Sequence, residues 1–439
     1  MQIVRRGLFA VLSLGLLTYL ILFVQELNSR MRAPPPGRIF VEHGWVYVLA
    51  GLAALAVAIL LYSLIYTAIG NRLSGRQRSP WPLFGQGLTH LLLWVVVAIV
   101  YYPILQVVAA SFDPRNILFS FRPPESDYLL VRALVVPDLS HVNLDNYARL
   151  FVGVNIHPYQ WGLAALAALS LVAVVSLATA RYFARGNTAR LAGWQGRALL
   201  TFAVLLFVVA ASLDPAQFTG RPTESKFLLW LRNTLLVAGL TGFLSVALTA
   251  TAGYAFARFR SLPGRYPLLL TFIFVQMFPG FLALIAIFYL FSLLQLLNTL
   301  TGLVLAYSGA VISFGTWVYK GYVESFGTAL EEAAMVDGAT RWQAFIRVLV
   351  PLSAPIFTFI FLLQFVMAYS EFILASLFLA GVEQWTVGLG LFNFTAEQFG
   401  ARWGVFAAAS VLGSLPILLV FYGFQQAFVS GYTAGAVKE

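Results

Sequence analysis

The chain has 439 residues, of which 60% are hydrophobic and 10% charged, against about 45–50% and about 25% in ordinary soluble domains. So apolar a chain cannot cover itself with polar surface in water, which excludes a soluble enzyme and a disordered chain, and the absence of cysteine excludes disulfide scaffolds, thiolate catalysis and Cys–metal sites. The formal net charge of +10 then belongs with the membrane flanks, and no nucleic-acid partner is expected.

A membrane-crossing helix needs about 20 mostly apolar residues. Ten stretches qualify, at 7–25, 44–69, 88–111, 161–180, 198–213, 227–257, 266–294, 302–319, 353–379 and 404–428. They lack the period-two alternation of a membrane barrel, so the expected class is an all-α polytopic membrane protein with about ten transmembrane helices. With the N-terminus in the cytoplasm, 16 of 27 Lys and Arg fall inside and 11 of 17 acidic residues fall outside. This bias predicts that both termini are cytoplasmic.

The first stretch follows Arg5 and Arg6 and exceeds a signal-peptide core in length, with no A-x-A pattern after it, so it is read as a retained anchor. Pro34–Pro36 make a stiff outer linker. The largest outer loop, 112–160, carries Asn143-Leu-Asp-Asn-Tyr147. It is read either as a surface for an extracytoplasmic partner or as an ordered cover for helix ends. The turn between the fourth and fifth stretches carries Arg181, Arg185, Arg190 and Arg197, which suits positive-inside anchoring or contact with anionic lipid of the bilayer. Thr241, Ser245, Thr249 and Gly253, spaced by four, share one helix face and point to close helix packing, with pathway lining as the lesser reading.

Residues 324–352 form a cytoplasmic connection with four of the five cytoplasmic acids. Thr328-x-x-Glu331 predicts a capping box and Ala329–Val336 a helix. Asp337-Gly338 ends that helix, with Gly supplying the left-handed position. Thr340-x-x-Gln343 is a second capping box that opens a helix from Arg341 to about Leu349, before Pro351. On physics alone the segment is a helical hairpin at the membrane surface, and it serves equally as an interfacial support or as a docking element.

The spacing Glu332-Ala333-Ala334-x3-Gly338-x9-Val348-x-Val350-Pro351 resembles the EAA loop of binding-protein-dependent ABC importer permeases. The longer run Glu332 to Ala339 reads Glu-Ala-Ala-x-x-Asp-Gly-Ala. Asn233-Thr-Leu, Ala255-Phe-Ala-Arg258, Gln276-Met-Phe-Pro279, Trp317-Val-Tyr-Lys-Gly-Tyr322 and Gly431-x-Thr-x-Gly435-Ala-Val-Lys438 are similar to the MalG-type sugar permeases. The likeness is closest over 226–439 and weaker over 88–151. Three places depart from the pattern: Gly327-Thr328 stands where a Pro is frequent, Ser370-Glu371-Phe372 where Asn-Glu-Phe is usual, and Glu439 in place of Gly.

The resemblance implies a type I ABC importer permease core of six helices plus four extra. It divides the chain into extra helices at 1–83, a first core helix and outer loop at 84–154, an inserted pair at 155–220 and the core at 221–439. It implies a bacterial inner-membrane subunit that imports a maltose-, maltodextrin- or trehalose-like oligosaccharide. The implied partners are a MalF-like permease, a MalK-like ATPase dimer carrying MgATP and an extracytoplasmic sugar-binding protein. Glu331, Glu332, Ala333, Ala334, Asp337, Gly338 and Ala339 would meet the ATPase, with Gly435 and Lys438 of the tail nearby. Asn233, Gln276 and Glu371 are candidates for the pathway or a subunit interface, and an ionisable group inside a span, as Glu371 is read, is a functional candidate on its own account.

Enzymatic chemistry has no constellation to carry it. No Gly precedes Lys226, Lys320 or Lys438, so this sequence holds no P-loop and brings no nucleotide cofactor of its own. His43, His90, His141 and His157 lack metal-ligand spacing, and no metal is expected. The competing reading is a stand-alone ion-coupled secondary transporter or channel, which leaves the hairpin without a use.

Overall fold

A computed structural model describes residues 44–75, 79–115, 126, 128–152, 154, 156–183, 189–218, 225–259, 261, 263–277, 280–395 and 402–436. The stretch at 7–25, the linker at Pro34–Pro36 and Lys438 lie outside these. Among the described residues the structure is helical, without strands. In lipid every backbone N–H and C=O needs an internal partner, and an apolar run satisfies this by closing its own helical hydrogen bonds.

Among the described residues seven helices are long and apolar enough to cross a membrane, and up to nine spans result if each of two bent pairs counts as one. They are α1 (Gly44–Ser74), α2 (Trp81–Ser111), α3 (Pro158–Phe183), α4 (Ala189–Ser212), α5 (Phe227–Arg258), α8 (Leu300–Ser325) and α14 (Trp403–Ala436). The stretch expected as one helix over 266–294 is instead two, α6 (Arg265–Met277) and α7 (Gly280–Leu293). The hairpin helices α9 (Ala329–Val336) and α10 (Arg341–Ala344) precede α11 (Ala354–Ser370). The expected span at 353–379 is interrupted after Ser370 and resumes as α12 (Ile373–Phe378), followed by α13 (Val387–Thr395).

The chain forms two compact units, Met1–Arg149 with Gln398–Val411, and Leu150–Glu397 with Leu412–Glu439. In the first, α1 packs on α2 and the outer loop folds over the end of α2. Asn146 is buried and its amide donates to the carbonyls of Ser111 (3.2 Å) and Asp113 (2.8 Å), while the Tyr147 and Ser111 hydroxyls pair at 2.8 Å. Arg115 forks onto Asp113 and reaches Asp138 at 2.8 Å. The Ser140 hydroxyl, with Arg115 behind it, holds the Asp138 carboxyl well below the usual carboxylate range. The described part of this loop is thus an ordered cover for a helix end, one of the two readings its sequence allows.

In the second unit α3 and α4 form a hairpin closed by Gln160, whose amide donates to the Ser212 carbonyl at 2.8 Å and to Gln217 at 3.0 Å. The core is α5 packed between α8 and α11. Thr241, Ser245, Thr249 and Gly253 are all buried, as expected of a close-packing face. One apolar cluster joins Leu235, Val237, Leu303, Phe365 and Phe378. A second joins Tyr254, Tyr319 and Phe359 to Phe345 and Leu349 of the 324–352 segment.

Candidate functional site

The hairpin is built by short-range chemistry at its turn and at the start of its second arm, and by long-range contacts elsewhere. Gly338 sits at φ +88°, the left-handed region. Its N–H donates to the Met335 carbonyl (3.1 Å) and the Ala339 N–H to the Ala334 carbonyl (3.0 Å), a Schellman ending for α9. The Thr340 hydroxyl accepts from the Gln343 N–H at 3.2 Å, and the Gln343 amide oxygen accepts from the Thr340 N–H at 2.9 Å, so the second capping box forms as expected. Beyond α10 the chain adopts five residues of π geometry, Phe345–Leu349, rather than a continuous α-helix. This turn buries Phe345 and Leu349, and a 72° bend then leads into α11.

The first capping box does not form. Thr328 makes no side-chain cap: its backbone is helical (ψ −12°) rather than extended, and the Glu331 N–H donates to the Thr328 carbonyl instead, while the Glu331 side chain turns elsewhere. The Glu331 carboxylate accepts from Arg258 Nε at 2.6 Å and from the Tyr254 hydroxyl at 3.2 Å. A charge-assisted bond inside a packed core outweighs a bond to an exposed backbone amide. Arg258 also donates to the carbonyls of Val323 (3.2 Å) and Gly327. Sequence reasoning missed Arg258 and Tyr254 as partners. The available signal was a cation ending an apolar run whose helix returns next to the hairpin.

The hairpin's other acids face outward. Glu332, Ala333 and Asp337 are exposed, and Ala334 and Ala339 are half-buried. Around them stand exposed apolar side chains: Leu330, Trp342, Ile346 and Val336, the last 87% exposed. Charges at Glu324, Glu332, Asp337, Arg341 and Arg347 exclude this surface from hydrocarbon. The hairpin therefore presents exposed apolar and small side chains among charges.

The remaining candidates do not gather around it. Asn233 is buried at the other end of α5, where its amide donates to the carbonyls of Glu383 (2.8 Å) and Trp385 (3.0 Å). Trp230 Nε1 donates to Val382 and the Val387 N–H donates to Thr234, so α5 clamps the 382–387 segment with three side chains. Asn233→Leu would leave two carbonyls without donors, at about 1–3 kcal/mol each. We expect it to lower the thermal midpoint of the purified protein and to open this segment to protease, both read directly on detergent-solubilised samples.

Glu371 is corrected from a carboxylate within a continuous span to a helix-break residue. It accepts from the N–H groups of Leu374 (2.8 Å) and Ala375 (3.0 Å) at the start of α12, and from the Tyr307 hydroxyl. Gln276 is exposed on α6 and bonds back to the Phe272 carbonyl at 3.3 Å. Gly435 lies near the end of α14.

Comparison with known proteins bears on this geometry. Residues 249–433 match the family described as binding-protein-dependent transport system inner membrane component. The maltose/maltodextrin transport system permease protein MalG of Salmonella typhimurium (strain LT2) is 45% identical over 227 residues, 50% of this chain and 76% of that protein. MalG of Escherichia coli (strain K12) is 44% identical over 238 residues, 52% of this chain and 79% of that protein. A solved chain from a bacterial ABC transporter involved in the import of the acidic polysaccharide alginate aligns with a TM-score of 0.52 at 17% identity, covering 79% of this chain and 96% of that one, which speaks to fold alone.

Proposed function

The chain belongs to the MalG-type permeases of binding-protein-dependent transport systems, and on that footing we propose that it forms half of a translocation pathway for a maltose-like oligosaccharide. It is a multi-pass inner-membrane subunit of an ABC sugar importer and not itself an enzyme. A second permease, an ATPase and a solute-binding protein complete the system. In our reading these are a MalF-like subunit, a MalK-like dimer that holds MgATP, and an extracytoplasmic sugar-binding protein, with both termini of this chain cytoplasmic.

The hairpin at 324–352 is the ATPase-docking element. The observation that carries this role is its outward surface of Leu330, Ala333, Val336 and Trp342 beside Glu332 and Asp337. Ala333 lets a partner backbone approach closely, Glu332 meets basic groups on the ATPase, and Gly338 allows the turn that presents both. Gly435 and Lys438 of the tail approach the same ATPases.

Closure of the ATPases on ATP draws the hairpins together and shifts the pathway between inward- and outward-facing states, which requires differential contacts in the two. The test is uptake of radiolabelled maltotriose into proteoliposomes. We expect transport only when the ATPase hydrolyses ATP and a binding protein is present. Uptake by this chain alone, driven by an ion gradient, would establish the secondary-transporter reading instead.

A further inference from the structure

One guanidinium fastens three segments of the chain. Arg258, at the end of α5, holds Glu331 of α9, the carbonyl of Val323 near the end of α8, and the carbonyl of Gly327 in the connection between them. The Arg258 and Glu331 side chains are only 11% and 9% exposed. Tyr254, one turn earlier on α5, completes the carboxylate's coordination, and its ring lies 4.5 Å from that of Phe345 on the second arm of the hairpin. Glu331 is therefore turned inward, while its neighbour Glu332 is exposed.

We propose that Glu331 and Arg258 are positioning residues that latch the docking hairpin to α5 and α8, so that the three move as one body when the ATPase closes. This inference rests on the docking role assigned above to the hairpin. Without the latch, the first arm of the hairpin joins the membrane helices through Gly327, at φ +65°, where even an added Cβ would meet nothing within 4 Å, and such a link can pivot. The planar fork of an arginine supplies several directed bonds at once, which a single charge does not. A buried pair of this kind is destabilising to break from either side, since the remaining charge is left unpaired.

The experiment uses the assembled importer in proteoliposomes and the variants Glu331→Gln, Arg258→Gln and the double change. Maltotriose uptake per ATP hydrolysed is expected to fall about tenfold in each single variant, with the ATPase still bound. The double variant is expected to do no more harm than Arg258→Gln alone, because that change has already removed the interaction that Glu331→Gln breaks. Glu331→Asp, which keeps the charge, is expected to recover part of the ratio. A merely structural role would lower the amount of complex and leave the ratio unchanged.

An independent readout does not depend on transport. The natural sequence has no cysteine, so Thr251→Cys on α5 and Val336→Cys on α9 accept spin labels in an otherwise unlabelled chain. The interspin distance distribution is expected to be narrow, and to broaden in Glu331→Gln. An unchanged distribution, or an unchanged uptake-to-ATP ratio, would overturn the latch. Failure of the wild-type chain to retain an ATPase would overturn the docking role instead, and the label distances would still decide whether the hairpin is held rigidly.

Discussion

Gly338→Val is expected to abolish retention of the ATPase by the assembled importer while the chain still inserts into the membrane. The added Cβ meets nothing within 4 Å, so the effect is not a clash. It lies in the backbone, which at φ +88° disfavours any L-residue by about 1–2 kcal/mol and a β-branched one more strongly. The Schellman bonds from Gly338 and Ala339 depend on this conformation. If the turn relaxes they are lost together, and the outward face of α9 rotates relative to Trp342. The expected order of damage is Asn, then Ala, then Val, because Asn tolerates the left-handed region. Gly321→Ala is the control: that position also has open space around it but lies inside α8 with no positive φ. Co-purification of the ATPase with each variant measures the effect, and single-cysteine accessibility confirms insertion. Full retention by Gly338→Val would remove the hairpin from the interface.

What was legible in the sequence was what local chemistry decides. The apolar runs at 227–257 and 302–319 became α5 and α8 because lipid leaves them no alternative to a helix. The turn at Asp337-Gly338 and the box at Thr340-Gln343 each close within a few residues, and both formed. The Thr328 box matched the same template and did not form: the Thr328 backbone is helical rather than extended, and the Glu331 carboxylate pairs with a residue 73 positions away in the chain. Spacing rules cannot rank a local bond against one that exists only after folding. The break at Glu371 was missed for a related reason. Ser370-Glu371-Phe372 contains neither Pro nor Gly, and the carboxylate that restarts the helix reads in sequence as an ionisable group inside a span. The π turn at Phe345–Leu349 has no local signature either. It places Phe345 and Leu349 in the cluster with Tyr254 and Tyr319, and that burial is a tertiary demand.

Gly253→Leu is expected to separate α5 from α8 and so to uncouple the hairpin from the membrane core without touching it. A Cβ at position 253 would lie 2.8 Å from Tyr319 Cδ1, 3.1 Å from Tyr319 Cβ and 3.2 Å from the backbone nitrogen of Lys320. Tyr319 cannot swing aside. It is fully buried, its hydroxyl pairs with Ser353 at 3.1 Å, and its ring packs 4.7 Å from Phe357 of α11. The obstacle therefore includes backbone and a side chain pinned from the far side, and the two helices must part. Overpacking of this kind costs about 1–3 kcal/mol, which corresponds to a thermal midpoint lower by about 1–3 °C in a chain of this length. The functional loss is expected to exceed that figure. Arg258 follows Gly253 by five residues, roughly 7.5 Å along α5, and its bond to Val323 spans the same pair of helices. A gap opened at 253 stretches that bond, so uptake per ATP hydrolysed falls together with stability. Gly315→Leu attacks the same crossing from α8, where a Cβ would meet the Thr249 hydroxyl at 2.5 Å, and it is expected to give the same pair of effects. If either variant loses stability and keeps its uptake-to-ATP ratio, force from the ATPase reaches the pathway by a route other than the α5–α8 contact.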